Sequence, residues 1–333
     1  MKEIENLTRR EWLISMGSTA LATRGVLEAT DQKTLRGAFM ILATPYTESK
    51  AIDYEDLVNE VDFLDQCGVQ GMVWPQHASD LHELTLEERM RGMEVIARAS
   101  QDKQAALVLG VQAKNTESML EYARHAEKLD PDAVIAIPPT DAKSLEDYRD
   151  YFTELCKIAK RPVFIQTAGG APEIEPTVEF IVEMGRKFSN FGYIKEEYLP
   201  RTTKSIDRMK AFLKYRPGPI KIIFGARRAR AWTYEMRLGM DGTLTGGPMY
   251  GDVYAKIWNL HLEKRQEEVR DMFAKLLLMT NLEQQIPGVR SYMMKRRGVF
   301  KTAVSRRASY TYTADAIAEI EYNYKALKPY LKV

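Results

Sequence analysis

The chain has 333 residues, 45% apolar and 28% charged, proportions that suit a globular protein with a sizeable core in one large domain or two small ones. A formal net charge of +2 gives no global case for nucleic acid or a membrane surface. Two cysteines, Cys67 and Cys156, exclude a disulfide framework, the four histidines argue against a histidine-rich metal site, and no run is apolar enough for long enough to span a bilayer.

At the N-terminus, Thr8-Arg9-Arg10-Glu11-Trp12-Leu13-Ile14 is similar to a twin-arginine export signal. A mildly apolar segment, 12–22, follows it, with Ala20-Leu21-Ala22 as a candidate cleavage site. The alternative is an amphipathic helix that carries two arginines, so the location stays open between the cytoplasm and export to the periplasm. In either case residues 1–30 are set aside as a leader or extension.

From residue 37, short apolar runs alternate with long amphipathic ones. Residues 37–44 (GAFMILAT) read as a strand and 53–67 as a helix capped by Asp53. Residues 71–75 (GMVWP) form the next strand, and Thr85-Leu86-Glu87-Glu88 is a capping box that opens a helix. A third strand, 106–111, precedes a helix started by Asn115, and a fourth, 133–137, precedes a helix opened by Ser144-Leu145-Glu146-Asp147. Residues 162–167, 191–195, 220–224 and 242–245 supply strands five to eight, and the chain beyond about Tyr250 is helical, including 313–327.

Short strands that are apolar on both faces are those of a parallel sheet buried between layers. Eight strand–helix units predict an α/β chain, a (β/α)8 TIM barrel over residues 36–250 with a C-terminal helical appendage over 251–333. An open doubly wound sheet is disfavoured, because Thr44-Pro45-Tyr46-Thr47 stands where a Gly-rich phosphate loop would follow the first strand.

In such a barrel the chemistry sits at the C-terminal ends of the strands. Lys195 ends strand six in Gly192-Tyr193-Ile194-Lys195-Glu196-Glu197, where an apolar strand would be expected simply to stop. Burying an ammonium is costly. A desolvated lysine loses its proton more easily and attacks a ketone carbon to form a Schiff base, whereas the plain alternative is a solvated strand end. Thr44 after strand one, His77 after strand two, Gln166 at the end of strand five and Gly225 at the end of strand seven converge on the same mouth, which favours the chemical reading.

Ala43-Thr44-Pro45-Tyr46, Leu84-Thr85-Leu86-Glu87-Glu88-Arg89, Pro162-Val163-Phe164-Ile165, Gly192-Tyr193-Ile194-Lys195 and Gly239-Met240-Asp241-Gly242 carry a resemblance across residues 36–300. In that order and spacing the chain resembles the dihydrodipicolinate synthase/N-acetylneuraminate lyase family of class I aldolases. The resemblance implies a (β/α)8 barrel, a homo-oligomer (tetramer or dimer) and neither metal nor organic cofactor. It also implies an imine between Lys195 and pyruvate or another 2-oxo acid, with Gln166 as its catalytic partner. Thr44, His77, Ala78, Gly225, Arg227 and Thr243 form the expected substrate-binding set. A protonated imine withdraws electrons from the neighbouring carbon, which eases aldol cleavage or condensation, or loss of water.

The chain also departs from this family. Gln76-His77-Ala78-Ser79-Asp80 replaces the Gly-Thr-Thr-Gly-Glu loop that holds the 2-oxo acid carboxylate, which leaves backbone N–H groups and His77 as donors. Gln166 stands in place of the proton-relaying tyrosine, Pro139-Thr140 in place of the tyrosine pair after strand four, and Ala168-Gly169-Gly170-Ala171-Pro172 lacks the substrate arginine. An amide does not shuttle protons as a phenol does, so synthase and sialic acid lyase activities are not expected. The proton must move through His77, Tyr193 or a water held by Gln166. Glu196 and Glu197 would oppose the neutral lysine if they faced the site, and strand alternation turns at least Glu196 away, while His82 and Asp80 are candidate partners that fix the His77 tautomer.

Arg227, Arg228 and Arg230 follow strand seven, and one of them is a candidate grip for an acidic substrate tail, the alternative being a solvated or subunit-facing cluster. Lys295-Arg296-Arg297 and Arg306-Arg307 read as a solvated helix face or an oligomer contact, and the methionines and aromatics of 272–294 as helix packing. Two readings compete with the lyase: a barrel that binds a small acid without chemistry, and a metal-dependent class II aldolase, for which His77 and His82 are the candidate ligands.

Overall fold

The computed structural model describes residues 33–198, 203–226 and 229–333. The leader read in residues 1–30, Arg227 and Arg228 lie outside them. The elements run β1 (Gly37–Ile41), α1 (Tyr54–Cys67), β2 (Gly71–Trp74), α2 (Leu86–Ala99), β3 (Ala106–Gly110), α3 (Thr116–Lys128), β4 (Ala133–Ala136) and α4 (Leu145–Ile158). They continue with β5 (Val163–Gln166), α5 (Val178–Lys187), β6 (Tyr193–Glu196), α6 (Thr203–Leu213), β7 (Ile222–Gly225), α7 (Trp232–Arg237), β8 (Gly242–Thr245) and α8 (Gly251–Leu262). Three further helices, α9 (Gln266–Gln285), α10 (Val289–Arg296) and α11 (Ala314–Leu327), follow.

The helix starts follow from local chemistry. The side chains of Asp53, Asn115 and Thr313 accept backbone N–H groups of the first turn, and Thr85 with Glu88 and Ser144 with Asp147 close reciprocal capping boxes. The eight strands close in chain order into a parallel barrel, the (β/α)8 fold expected from the sequence. The seam between β8 and β1 pairs Gly37 with Gly242. Gly242 has φ +150°, and a Cβ there would lie 2.0 Å from the Gly37 carbonyl oxygen, so the closure depends on glycine.

The period of two along each strand sorts side chains into two cores. Phe39, Val73, Val108, Ile135, Phe164 and Phe224 fill the barrel interior, where Phe164 stacks on Phe224 at 5.5 Å. Met40, Met72, Leu107, Val134, Ile194 and Ile223 face the helices. Tyr193, a candidate proton donor on sequence grounds, packs inside the barrel against Phe164 and is not among the residues that line the mouth. Most strands end within one residue of expectation; β1 departs furthest, stopping at Ile41, before Thr44, and β6 runs one residue past Lys195.

Residues 34–333 form one compact unit, and the last helices are tied into it. Arg297, read from sequence as part of a solvated or subunit-facing cluster, is instead buried in an ion pair with Asp252 at 2.8 Å. Arg306 pairs with Glu88 at 2.5 Å and donates to the Lys50 and Glu83 carbonyls. These basic residues are internal staples, which residue type alone did not reveal. Among the described residues no helix is long and apolar enough to cross a membrane.

Candidate active site

A cavity of about 1120 Å³ opens at the C-terminal mouth of the barrel. Strand alternation places Lys195 and Gln166 on its floor, because Tyr193 and Phe164, two residues earlier on their strands, already face the barrel axis. The two strands pair with Gln166 opposite Lys195. Lys195 is 4% exposed, and its Nζ donates to Gln166 Oε1 at 2.7 Å. The Gln166 amide is oriented in turn by donating from Nε2 to the Ala168 carbonyl at 3.0 Å.

Lys195 Nζ also lies 3.3 Å from Glu197 Oε2. Alternation turns Glu196 away as expected, into a buried pair with Arg208 at 3.1 Å, where burial pushes its carboxyl up to about 7 against the opposing guanidinium. The same rule returns Glu197 to the cavity, and its backbone N–H donates to Thr167 Oγ1 at 2.8 Å. Sequence reasoning named Glu197 only as a charge that would oppose a neutral lysine if it faced the site, and its i+2 spacing from Lys195 was the signal that it does.

The loop after β2 forms one wall. His77 Nδ1 lies 3.1 Å from His82 Nε2, which bears out the expected pairing, whereas Asp80 turns to Arg307 at 2.8 Å. Gly169, at φ +96°, brings its backbone close enough to His77 that a Cβ would sit 2.7 Å from Nε2. Burial, then the neighbouring His82 and Lys195, lower the His77 pKa to about 4. An unfolded histidine titrates near 6.5, so between about 6.5 and about 4 the unfolded chain binds more protons at this position than the fold does. His77 therefore contributes a loss of stability as pH falls through that window. His77→Gln is expected to flatten this part of the stability curve in urea melts between pH 4 and 7, and an equally steep curve would contradict it.

The structure brings Lys195, Gln166, His77 and Ala78 together around the cavity. Thr44, Gly225 and Thr243 are not brought to its lining. The Thr44 hydroxyl donates to the Ser79 carbonyl at 2.5 Å and accepts from Trp74 Nε1 at 3.2 Å, so it holds the loop from beneath. The Thr243 hydroxyl donates to the Gly225 carbonyl at 3.1 Å. Of the arginine cluster, Arg230 lines the cavity and precedes α7 without starting it.

Two arginines from the C-terminal region complete the wall, and sequence reasoning gave neither a role here. Arg290 of α10 donates to the Ala78 carbonyl at 2.8 Å and the Gly246 carbonyl at 3.1 Å, with Glu283 as its counter-ion at 3.1 Å. Arg307 donates to the His77 carbonyl at 2.7 Å. Their sequence distance from the loop left no short-range signal. Among the described residues, no group of three His, Cys, Asp or Glu side chains is placed to hold a metal ion.

Comparison with known proteins agrees with this architecture. A dihydrodipicolinate synthase from Rhodopseudomonas palustris superposes with a TM-score of 0.77 at 19% identity, covering 88% of this chain and 97% of that one. A dihydrodipicolinate synthase from Acinetobacter baumannii, solved in complex with pyruvate, superposes with a TM-score of 0.76 at 16% identity over 88% of this chain and 99% of that one. The 4-hydroxy-tetrahydrodipicolinate synthase of Bartonella bacilliformis is 25% identical over 176 residues, 53% of this chain and 58% of the relative. The chain thus spans little more than half the length of the curated relatives it matches. The profile of the Dihydrodipicolinate synthetase family matches residues 34–321, and the chain belongs to that family.

Proposed function

We propose that this chain is a class I lyase that forms an imine between Lys195 and a 2-oxo acid. The observation that carries the reading is a 4% exposed lysine on the floor of the barrel's mouth, its Nζ fixed 2.7 Å from Gln166 Oε1. Burial keeps water from competing with the amine for the carbonyl carbon, and the amide holds the nitrogen in one orientation. Family membership and the pyruvate complex of the A. baumannii neighbour support the choice of substrate class. The carbonyls of His77 and Ala78 are held by Arg307 and Arg290, and we assign the N–H groups of that loop to the substrate carboxylate.

The cavity exceeds the roughly 300–1,000 Å³ typical of small-ligand sites. A substrate longer than pyruvate fits that space, with Lys210 and Arg230 at its edge to meet an acidic tail. Gln166 replaces the phenol of the family pattern, so the reaction we assign is aldol cleavage, condensation or dehydration by a lyase other than 4-hydroxy-tetrahydrodipicolinate synthase. The test is borohydride reduction in the presence of a panel of 2-oxo acids, pyruvate included, followed by peptide mapping. The expected result is one adduct on the peptide bearing Lys195. No adduct with any member of the panel, or one on Lys210 instead, would leave a binding barrel without the chemistry.

A further inference from the structure

The tyrosines that move protons in the family pattern are replaced here, yet imine formation needs a group that takes protons from nitrogen and gives them to the departing oxygen. The sequence names three candidates for that role, and a fourth group touches the nitrogen itself. Gln166 is an amide without a proton to exchange. Tyr193 is packed in the barrel interior. His77 shares its Nδ1 with His82, and its imidazole binds a proton poorly because it is buried beside His82 and Lys195. Glu197 is in direct contact with the reacting atom, 3.3 Å from Lys195 Nζ.

We propose that Glu197 is the proton carrier of imine formation, a carboxylate in place of the missing phenol. The proposal rests on the reading of Lys195 as the nucleophile. It is anchored in geometry: Glu197 lies two residues beyond Lys195 and so on the same face, its backbone is fixed by Thr167 Oγ1 at 2.8 Å, and it lines the cavity with its carboxylate 3.3 Å from Lys195 Nζ.

The steps balance as follows. The Glu197 carboxylate takes one proton from the Lys195 ammonium. The free amine attacks the ketone carbon, forming the C–N bond as the C=O π pair moves to oxygen, and that oxygen takes the proton from Glu197. Glu197 then removes a second proton from the nitrogen, which leaves a neutral carbinolamine. It returns this proton to the hydroxyl, the C–O bond breaks, water departs, and the nitrogen lone pair closes the C=N bond. One ammonium and one ketone become one protonated imine and one water, with Glu197 again a carboxylate beside the new cation.

The test is the rate of cyanoborohydride trapping with pyruvate on the full chain. Glu197→Gln is expected to slow trapping by about 100-fold or more, the scale of a lost general acid–base. Added formate is expected to restore much of the rate in Glu197→Ala and to leave the wild type unaffected. Thermal melts of both variants establish that they fold. Trapping by Glu197→Gln at the wild-type rate overturns the proposal. Slow trapping in a folded Glu197→Ala that formate does not rescue overturns it too, since Glu197 then acts as a fixed charge. A wild type that shows no adduct brings down the Lys195 reading itself, an outcome distinct from both.

Discussion

Lys195→Ala is expected to lose the reducible adduct completely and to lower turnover on the order of 10⁶-fold, the scale seen when a covalent nucleophile is removed. The basis is that no other described amine shares its position. Lys210 also lines the cavity but is exposed at its edge, and Lys221 is spent on the Phe191 carbonyl. Intact mass after reduction, compared between the wild type and Lys195→Ala across a panel of 2-oxo acids, measures the first effect, and single-turnover kinetics the second. Lys195→Arg is expected to be as inactive as the alanine variant, because a guanidinium keeps its proton and does not attack a ketone. An adduct of equal yield in Lys195→Ala would assign the imine elsewhere. The pair of variants also separates charge from nucleophilicity: Lys195→Arg keeps a cation beside Glu197 yet forms no C–N bond.

The architecture was legible because it rests on local rules. Alternation of strand and helix patterns, the caps at Asp53, Thr85, Asn115 and Ser144, and the missing phosphate loop after the first strand were each readable within a few residues. Lys195, Gln166 and His77 followed from the same logic, since strand ends point into the mouth. Glu197 follows from the same logic, since its i+2 spacing returns it to the face of Lys195, although from sequence it stands only as a charge opposed to the neutral amine. The other misreadings have a different cause. Thr44 and Thr243 do not line the cavity, and their hydroxyls are consumed by the Ser79 and Gly225 carbonyls, a matter of tertiary hydrogen bonding that spacing does not encode. Arg290 and Arg307 reach the loop after β2 from more than 200 residues away in sequence, and nothing local marks such a contact.

Arg297→Ala is expected to cost about 3–5 kcal/mol of stability, because it strands a buried carboxylate. The Arg297 and Asp252 side chains are 2% and 1% exposed and lie 2.8 Å apart, so neither charge has bulk water to fall back on. Arg297 also donates to the Met249 carbonyl at 2.7 Å, and Asp252 accepts the Lys332 N–H at 2.9 Å, which makes the pair the point where α8, the end of α10 and the C-terminus meet. Urea unfolding measures the loss. Combining Arg297→Met with Asp252→Asn is expected to cost less than the sum of the two single changes, since the double variant leaves neither charge unpaired while the introduced amide still offers an oxygen to the Lys332 N–H. Additive losses, or a loss below about 1 kcal/mol in Arg297→Ala, would mean that the pair is solvated. The consequence extends to the cavity, because Arg297 caps the helix that carries Arg290. A loosened α10 slackens the hold on the Ala78 carbonyl, so Arg297→Ala is expected to weaken apparent 2-oxo acid affinity as well as stability, although Arg297 is not among the residues that line the site.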